Sequence, residues 1–220
     1  GLIGGDAVEY YSSKFDYVIG IDNNFREYFF GSEGSTEWRK KMLESNFQNY
    51  IHYNMDVRSY NDLDKIYQKY NSDIKLIIHT ASQPSHDWAA QEPLTDFTIN
   101  ANGTLNLLEL TRKYCPNSVF IFTSTNKVYG QLDHLKIIQE QDRYQFKSML
   151  AGVSEEMPLD FHSPYGCSKG AADQYVIDYA RIYSLKTTTF RQSCIYGPRQ
   201  FGSKDQGWIS WFIYAALSNK

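Results

Sequence analysis

Short apolar runs alternate with longer amphipathic stretches along most of the chain. The short runs are almost wholly apolar, which is typical of strands buried on both faces of a parallel sheet. The longer stretches repeat apolar residues at the helical period and predict helices. The predicted strands are 17–21, 50–54, 75–79, 118–123 and 187–191, and the predicted helices are 6–15, 36–44, 61–70, 93–113 and 164–183. The polar region 131–160 is predicted to form an irregular surface loop beside a site.

This alternation predicts the α/β fold class, with βαβ units and a parallel sheet. Because crossovers between parallel strands are right-handed, we expect a doubly wound sheet (Rossmann, NAD(P)-binding) in one domain over residues 1–195. The chain opens on a glycine-rich turn with no strand before it, although that strand would lie at the centre of such a sheet. The sequence therefore predicts a fragment with a gap in its sheet. We expect the native protein to carry roughly ten more residues before Gly1, and a further substrate-binding segment after Lys220.

The composition argues against several classes of function. The chain has 220 residues and a net charge of -3, so no basic face for nucleic acid is expected. It contains neither a run of about 18 apolar residues nor a secretory leader, so no membrane partner is expected. The three cysteines, Cys115, Cys167 and Cys194, are widely spaced and fit neither a disulfide framework nor a zinc site. We therefore expect no metal and a reducing, cytoplasmic setting.

The first candidate site is a dinucleotide-binding turn. Gly1 and Gly4 match the last two glycines of a Gly-x-x-Gly-x-x-Gly turn, where glycine lets the backbone approach a pyrophosphate. The helix that follows offers free N–H groups to the phosphates. Asp22 ends the next strand about 20 residues on, where a carboxylate accepts hydrogen bonds from the adenosine ribose. The same carboxylate would repel a ribose phosphate, so NAD is favoured, although the nearby Arg26 leaves NADP open.

The second candidate site is a Tyr-x-x-x-Lys pair. Pro164 suits the first turn of a helix, so Tyr165 and Lys169 share one helix face. Tyrosine is a poor base at neutral pH, and an ammonium close by is expected to lower the pKa of its phenol. The pair can then take a proton from a sugar hydroxyl as hydride leaves for a nicotinamide. Thr125, beside Ser124 at the end of a strand, is the candidate to hold the reacting oxygen.

Several stretches of the chain resemble the extended short-chain dehydrogenases, and specifically the CDP-paratose 2-epimerase (CDP-tyvelose epimerase) group. The likeness covers essentially the whole chain. The stretches that carry it are 100–109 (Asn-Ala-Asn-Gly-Thr-Leu-Asn-Leu-Leu-Glu), 124–130 (Ser-Thr-Asn-Lys-Val-Tyr-Gly), 161–175 around Tyr165, 196–201 (Tyr-Gly-Pro-Arg-Gln-Phe) and 205–208 (Asp-Gln-Gly-Trp). The first stretch is common across the superfamily, whereas the others are more specific.

The resemblance implies an NAD-dependent nucleotide-sugar epimerase, which oxidises a sugar carbon to a ketone, turns the intermediate over and returns hydride to the other face. In this group the carbon is carbon 2 of a dideoxy sugar. The catalytic residues would be Thr125, Tyr165 and Lys169. The cofactor would be lined by Gly1, Gly4, Asp22, Asp56, Val57, Ala81, Gln83, Asn100, Tyr165 and Lys169. The nucleotide-sugar would be bound by Ser124, Asn126, Arg199, Gln200, Gln206 and Trp208, with 196–220 as the start of its binding region.

The resemblance also implies a homo-oligomer, either a dimer or a tetramer. The helices 93–113 and 164–183 resemble those that pair across the dimer in this family. The sequence departs from the group after Gln83, at Pro-Ser-His-Asp-Trp, so the sugar pocket is expected to differ.

Three alternative functions stay open. A UDP-sugar 4-epimerase is broadly similar, but that family usually has an asparagine at the position of Cys194. A 4,6-dehydratase needs an Asp-Glu pair directly after the catalytic threonine, and this chain has Asn126 and Lys127 there. A non-catalytic dinucleotide-binding protein on the same fold commonly lacks the Tyr/Lys pair, which this chain retains.

Overall fold

The computed structural model describes residues 1–148, 152–204 and 206–218. Strands and helices alternate along the chain, as the sequence pattern predicts. The strands are β1 (Val18–Ile21), β2 (Tyr50–Tyr53), β3 (Leu76–His79), β4 (Val119–Thr125), β5 (Ile137–Gln139), β6 (Tyr144–Phe146) and β7 (Lys186–Gln192). The helices are α1 (Leu2–Tyr11), α2 (Phe25–Phe30), α3 (Glu37–Asn46), α4 (Tyr60–Tyr70), α5 (His86–Gln91), α6 (Pro93–Phe97), α7 (Gly103–Tyr114), α8 (Ser163–Tyr183) and α9 (Trp208–Leu217).

The parallel strands form two separate sheets. In one, β1 pairs with β2 from Val18 opposite Tyr50 to Ile21 opposite Tyr53. In the other, the order is β3-β4-β7, and all pairs are parallel. Between β1 and β3 lies a cavity of about 1020 Å³, lined by residues of both strands. The gap predicted in the sheet is therefore present, between the two strands that would flank a central one.

The helices pack in two groups, as a doubly wound fold requires. Helix α1 packs against α3, β1 and β3, whereas α4 and α8 both pack against α7. The main hydrophobic core lies between the second group and the three-stranded sheet. Its buried members are Leu63, Tyr67, Leu107, Leu108, Leu110, Cys115, Phe120, Phe122, Ala172, Val176, Tyr179 and Leu185. This core fixes β4 and α8, the two elements that carry the predicted catalytic residues.

Several element boundaries differ from the prediction. The first helix spans Leu2–Tyr11 instead of 6–15, because the glycine-rich segment is itself helical. The stretch 93–113 is divided into α6, a turn of π-helix at Thr98–Asn102, and α7. The region 131–160, predicted to be irregular, contains the antiparallel hairpin of β5 and β6, while 149–151 lie outside the described residues. Within the described ranges, no helix is long and apolar enough to cross a bilayer.

Candidate active site

The predicted catalytic residues meet at one cleft, a cavity of about 770 Å³. Thr125 is the last residue of β4, and its hydroxyl accepts a hydrogen bond from the Lys127 amide at 3.3 Å. Tyr165 lies in the first turn of α8, and Lys169 follows one turn later. Because β4 and α8 pack against each other, all three side chains reach the wall of this cleft.

Most of the other predicted site residues line the same cleft. These are Gly1, Gly4, Asp22, Asp56, Val57, Ala81, Ser124, Asn126, Arg199, Gln200, Gln206 and Trp208. These residues come from six separate regions of the chain, and the fold brings them together at one cavity. Their individual roles stay predictions. Asp205, which belongs to one of the family-like stretches, lies outside the described residues.

Two predicted cofactor residues, Gln83 and Asn100, lie behind the cleft wall. Both are buried, and the Gln83 amide donates to the Asn100 side-chain oxygen at 2.9 Å. The Asn100 amide group donates in turn to Asp96 and to the Ser168 hydroxyl, each at 3.0 Å. These interior bonds tie the loop after β3 to α6 and α8. A direct contact of either residue with a cofactor stays a prediction.

The glycine-rich start of α1 is shaped for a close backbone approach. A Cβ added at Gly4 would lie 2.9 Å from the Thr80 hydroxyl at the end of β3. A Cβ at Gly1 would meet no atom within 4 Å, so the backbone there faces the open cleft. Asp22, which directly follows β1, accepts a hydrogen bond from the Asn24 backbone amide at 2.6 Å. Glycines, a helix start and a carboxylate thus fit the pyrophosphate and ribose of a dinucleotide.

Asp56 has a different environment from Asp22. Its carboxylate forms an ion pair with Arg58 at 2.6 Å and accepts a hydrogen bond from the Asn23 side chain at 3.1 Å. Burial alone would raise the pKa of Asp56, but its bonds to Arg58 hold that pKa below its usual value. Val57 is buried and packs against Gly103, where a Cβ would lie 2.7 Å from the valine side chain.

Burial dominates the electrostatics of the catalytic pair. It raises the pKa of Tyr165 to about 12, although a hydrogen bond with Thr125 works in the opposite direction. It lowers the pKa of Lys169 to about 7, against the attraction of Asp173 and Asp96. The expected lowering of the Tyr165 pKa by Lys169 is not found in this geometry. The reason is that the Lys169 ammonium donates to the Thr123 carbonyl at 2.7 Å and lies 4.2 Å from the centre of the Phe122 ring.

The residues after β7 form the remaining wall of the cleft. Gln206 donates to the Pro84 carbonyl at 2.6 Å, and Arg199 pairs with Glu9 of α1 at 3.2 Å. The Gln200 amide donates to the Ile195 carbonyl at 2.7 Å, and Trp208 begins α9. This segment thus connects the loop after β3 with the helix of the phosphate turn. It bounds the cleft on the side where the sequence predicts the nucleotide-sugar.

His86 lines the cleft and contacts Ser163 at the start of α8, a contact that the sequence did not predict. His86 Nδ1 lies 3.0 Å from the Ser163 hydroxyl, and the imidazole ring centre lies 4.6 Å from that of Tyr165. Ser163 also accepts a hydrogen bond from the Gly166 amide at 3.2 Å. The contact joins α5 to the first turn of α8. A helix start at Ser85, whose hydroxyl accepts from the Trp88 amide, was the available sequence signal.

Arg26 is held near Asp22 by two aromatic rings. Its guanidinium carbon lies 5.0 Å from the centre of the Phe30 ring and 5.1 Å from that of Phe201. Burial lowers the pKa of Arg26, whereas the charge of Asp22 raises it. Helix α2 is thereby joined to the segment after β7 at the end of the cleft that Asp22 lines.

Comparison with known proteins identifies the family. The family model described as the NAD dependent epimerase/dehydratase family matches residues 1–220. This chain belongs to that family. It is 41% identical over its full length to the CDP-paratose 2-epimerase of Salmonella typhi, and 33% identical over 76% of its length to a putative UDP-glucose 4-epimerase of Methanocaldococcus jannaschii. It spans 62% and 48% of the lengths of these relatives.

Solved structures agree with the fold. The UDP-glucose 4-epimerase of Thermotoga maritima, solved with UDP-glucose, matches all of this chain with a TM-score of 0.77 and 26% identity. The UDP-glucose 4-epimerase of Thermus thermophilus, solved with NAD, also matches all of it, with a TM-score of 0.76 and 25% identity. This chain covers 61% and 60% of those two chains. The doubly wound, Rossmann-like fold predicted from the sequence is thus confirmed.

Proposed function

We propose that this chain is the dinucleotide-binding part of an NAD-dependent nucleotide-sugar epimerase that resembles CDP-paratose 2-epimerase. The observation that carries the proposal is the meeting of Thr125, Tyr165 and Lys169 in the cleft that the glycine turn and Asp22 also line. One wall of this cleft carries the glycines and carboxylate expected to bind a dinucleotide. Another wall carries the Tyr165 phenol, the Thr125 hydroxyl and the Lys169 amine. The identity to the Salmonella enzyme, 41% over the whole chain, supports the sugar-2-epimerase type.

Each residue has a defined task in this reaction. Gly1, Gly4 and Asp22 would hold the dinucleotide, whose nicotinamide would supply a reversible hydride acceptor for the sugar carbon. Tyr165 takes the proton of the hydroxyl on that carbon and gives it back when the ketone is reduced. Thr125 holds the same oxygen, and Lys169 fixes the end of β4 against α8 through its hydrogen bond to the Thr123 carbonyl. Asp22 accepts hydrogen bonds from the adenosine ribose.

A UDP-sugar 4-epimerase is the second candidate. The Methanocaldococcus relative and the Thermotoga structure are named as enzymes of that type, and their likeness favours it. The two candidates share the oxidation at a sugar carbon and differ in which carbon faces Tyr165. A 4,6-dehydratase is less well supported, because Asn126 and Lys127 replace the carboxylic acids that its elimination step requires.

The cellular setting and the assembly are further parts of the proposal. Cys167 and Cys194 are exposed free thiols, which suits a reducing cytoplasm. Exposed apolar side chains on α6 and α8 support a homo-oligomer in which these helices pair between subunits; they include Leu94, Phe97, Tyr175 and Ile182.

Assays of the full-length protein test the proposal. Purified protein with NAD is incubated with CDP- and UDP-linked sugars, and epimer formation is followed by NMR. Tyr165→Phe should lower kcat by about a hundredfold or more while leaving NAD binding intact, because it removes only the proton-transferring hydroxyl. Tyr144→Phe, at an exposed tyrosine of β6, is the matched control and should not change kcat.

The outcomes separate the candidates. Conversion at carbon 2 of a CDP-sugar supports the first proposal, and conversion only at carbon 4 of a UDP-sugar supports the second. Binding of NAD without conversion of any sugar, with Tyr165→Phe indistinguishable from the parent protein, would identify a non-catalytic dinucleotide-binding protein instead.

A further inference from the structure

A buried carboxylate, that of Asp173, lies behind the catalytic residues and has no part in the reaction described above. Its side chain is 0% exposed and pairs with Arg191 through two bonds, 2.9 Å and 3.1 Å long. Ser124 donates its hydroxyl to the same carboxylate at 2.7 Å, and Thr189 does so at 3.2 Å. One carboxylate thus joins α8 to the ends of both β4 and β7.

These bonds act on the strand end that carries the catalytic groups. Ser124 directly precedes Thr125, and the carbonyl of Thr123 accepts the hydrogen bond of Lys169. Arg191 extends the network, because its other amino group donates to the Tyr129 hydroxyl at 3.0 Å, just beyond Thr125. The position of the Thr125 hydroxyl relative to α8 is therefore held on both sides by groups bonded to Asp173.

Asp173 also lies one helical turn after Lys169, on the same face of α8. Three titratable groups interact with the Lys169 ammonium: Asp173 from α8, Asp96 from α6 and His79 from β3. Asp173 and Asp96 raise the pKa of Lys169, in opposition to burial. Burial, with Lys169 as a second cause, lowers the pKa of His79 to about 3, so that side chain is neutral and adds no charge.

We propose that Asp173 is a positioning residue of this active site, which fixes the Ser124–Thr125 end of β4 against α8 and presents its carboxylate one helical turn after Lys169. The proposal rests on the proposed function for its effect on turnover. The Asp173–Arg191 ion pair thus acts on turnover in addition to linking α8 to β7. Asp173 touches no reacting atom and acts through Ser124 and Lys169.

A matched pair of variants tests the positioning role. Ser124→Ala and Thr189→Val each remove one hydroxyl donor from the same oxygen of Asp173, but only the first lies on the catalytic strand end. In the full-length enzyme, Ser124→Ala should lower kcat about tenfold, and Thr189→Val should leave kcat unchanged. The double variant Ser124→Ala with Asp173→Asn should show a smaller fold-decrease in kcat than the product of the two single fold-decreases. The reason is that both substitutions disrupt the same Ser124–Asp173 hydrogen bond. The proposal would be overturned if Ser124→Ala and Thr189→Val changed kcat equally, or if the fold-decrease in the double variant equalled the product of the two single ones.

The pH profile tests the electrostatic role. Asp173→Asn keeps the shape of the side chain and removes its charge, so the alkaline limb of the kcat profile should move about one pH unit lower. Asp173→Glu should restore most of this shift. If Asp173→Asn does not fold, as circular dichroism would show, the hydroxyl pair decides alone.

A readout that is independent of turnover separates this proposal from the proposed function. The titration of Lys169 can be followed by NMR of its Cε, assigned by the loss of the signal in Lys169→Met. The Asp173→Asn variant should titrate at a lower pH than the parent protein. An unchanged titration overturns the electrostatic role whatever sugar is converted, whereas a protein that converts no sugar overturns only the proposed function.

Discussion

The Lys169 amine combines deep burial with a charge that the proposed chemistry needs. Its side chain is 2% exposed, and burial lowers its pKa to about 7 from an ordinary value of 10.5. Between these two pH values the unfolded chain holds a proton on this lysine that the folded protein has released. Stability from this residue therefore rises as the pH rises from about 7 toward 10.5. Burial of this amine therefore lowers the free energy of unfolding at and below neutral pH.

We predict that Lys169→Met flattens this dependence. The free energy of unfolding, measured by urea denaturation at several values between pH 7 and pH 9.5, should increase with pH in the parent protein and increase less in the variant. Lys65→Met is the control, because Lys65 is exposed and should leave the slope of the parent protein unchanged. An equally steep slope in Lys169→Met would mean that the lysine titrates normally in the folded state.

Sequence patterns reach the candidate catalytic residues more readily than the buried contacts around them, and the catalytic roles stay predictions. Tyr165, Lys169 and Thr125 were predicted because helical spacing and a strand end are local features. Gln83 and Asn100 were predicted as cofactor contacts, but they bond each other across 17 positions of the chain, a relation that no local pattern encodes. Asp173 had a local signal, its position one turn after Lys169, yet its partners on β4 and β7 depend on strand order.

At the scale of elements, α1 shows how a glycine-rich segment is both a turn and a helix. Gly4 and Gly5 are helical residues, and each is packed where a side chain would collide, Gly4 with Thr80 and Gly5 with Arg39. These two glycines thus allow α1 to approach β3 and α3, whereas the sequence predicted only that Gly4 belongs to a turn. The same close packing brings the start of α1 to the cleft.

We predict that Gly4→Val destabilises the protein by about 1–3 kcal/mol, because the new side chain must displace Thr80 or move α1. The movement should also weaken NAD binding, measured by isothermal titration calorimetry, because α1 carries the phosphate turn. Gly197→Ala is the control for stability, since a Cβ there would meet no atom within 4 Å. Equal thermal midpoints for the two variants would contradict the packing argument.

Short elements account for most of the differences between prediction and structure. Helices α2 and α5 have six residues each, too few for a helical period to emerge from the sequence. Helix α2 starts after Asn24, which has a left-handed backbone with φ 55°, and its aromatic side chains are held by Trp88 of α5, 4.5 Å from Phe29. These contacts are long-range, so sequence periodicity predicted the sheet and the long helices but not the aromatic wall of the cleft.

At the scale of the whole molecule, the apolar surface is unevenly placed. The apolar surfaces of α4, α7 and the sheet meet in the main core, but α6 and α8 also expose large side chains, of which Leu94 is 81% and Ile182 65% exposed. In the proposed homo-oligomer, these side chains would be buried between subunits. Because a two-fold interface uses the same patch on both subunits, one substitution places two charges in each interface.

Under the proposed pairing of α8 between subunits, we predict that Ile182→Asp converts the full-length protein from an oligomer to a monomer. Each interface would gain two buried carboxylates without cationic partners, and burial of an unpaired charge is costly. Molar mass by light scattering coupled to size-exclusion chromatography measures the change. Ile137→Asp, at a similarly exposed isoleucine of the β5–β6 hairpin, is the matched control and should stay oligomeric. A parent protein that is monomeric at all concentrations, or an Ile182→Asp variant of unchanged molar mass, would exclude pairing through this end of α8. Leu94→Asp would then test pairing through α6.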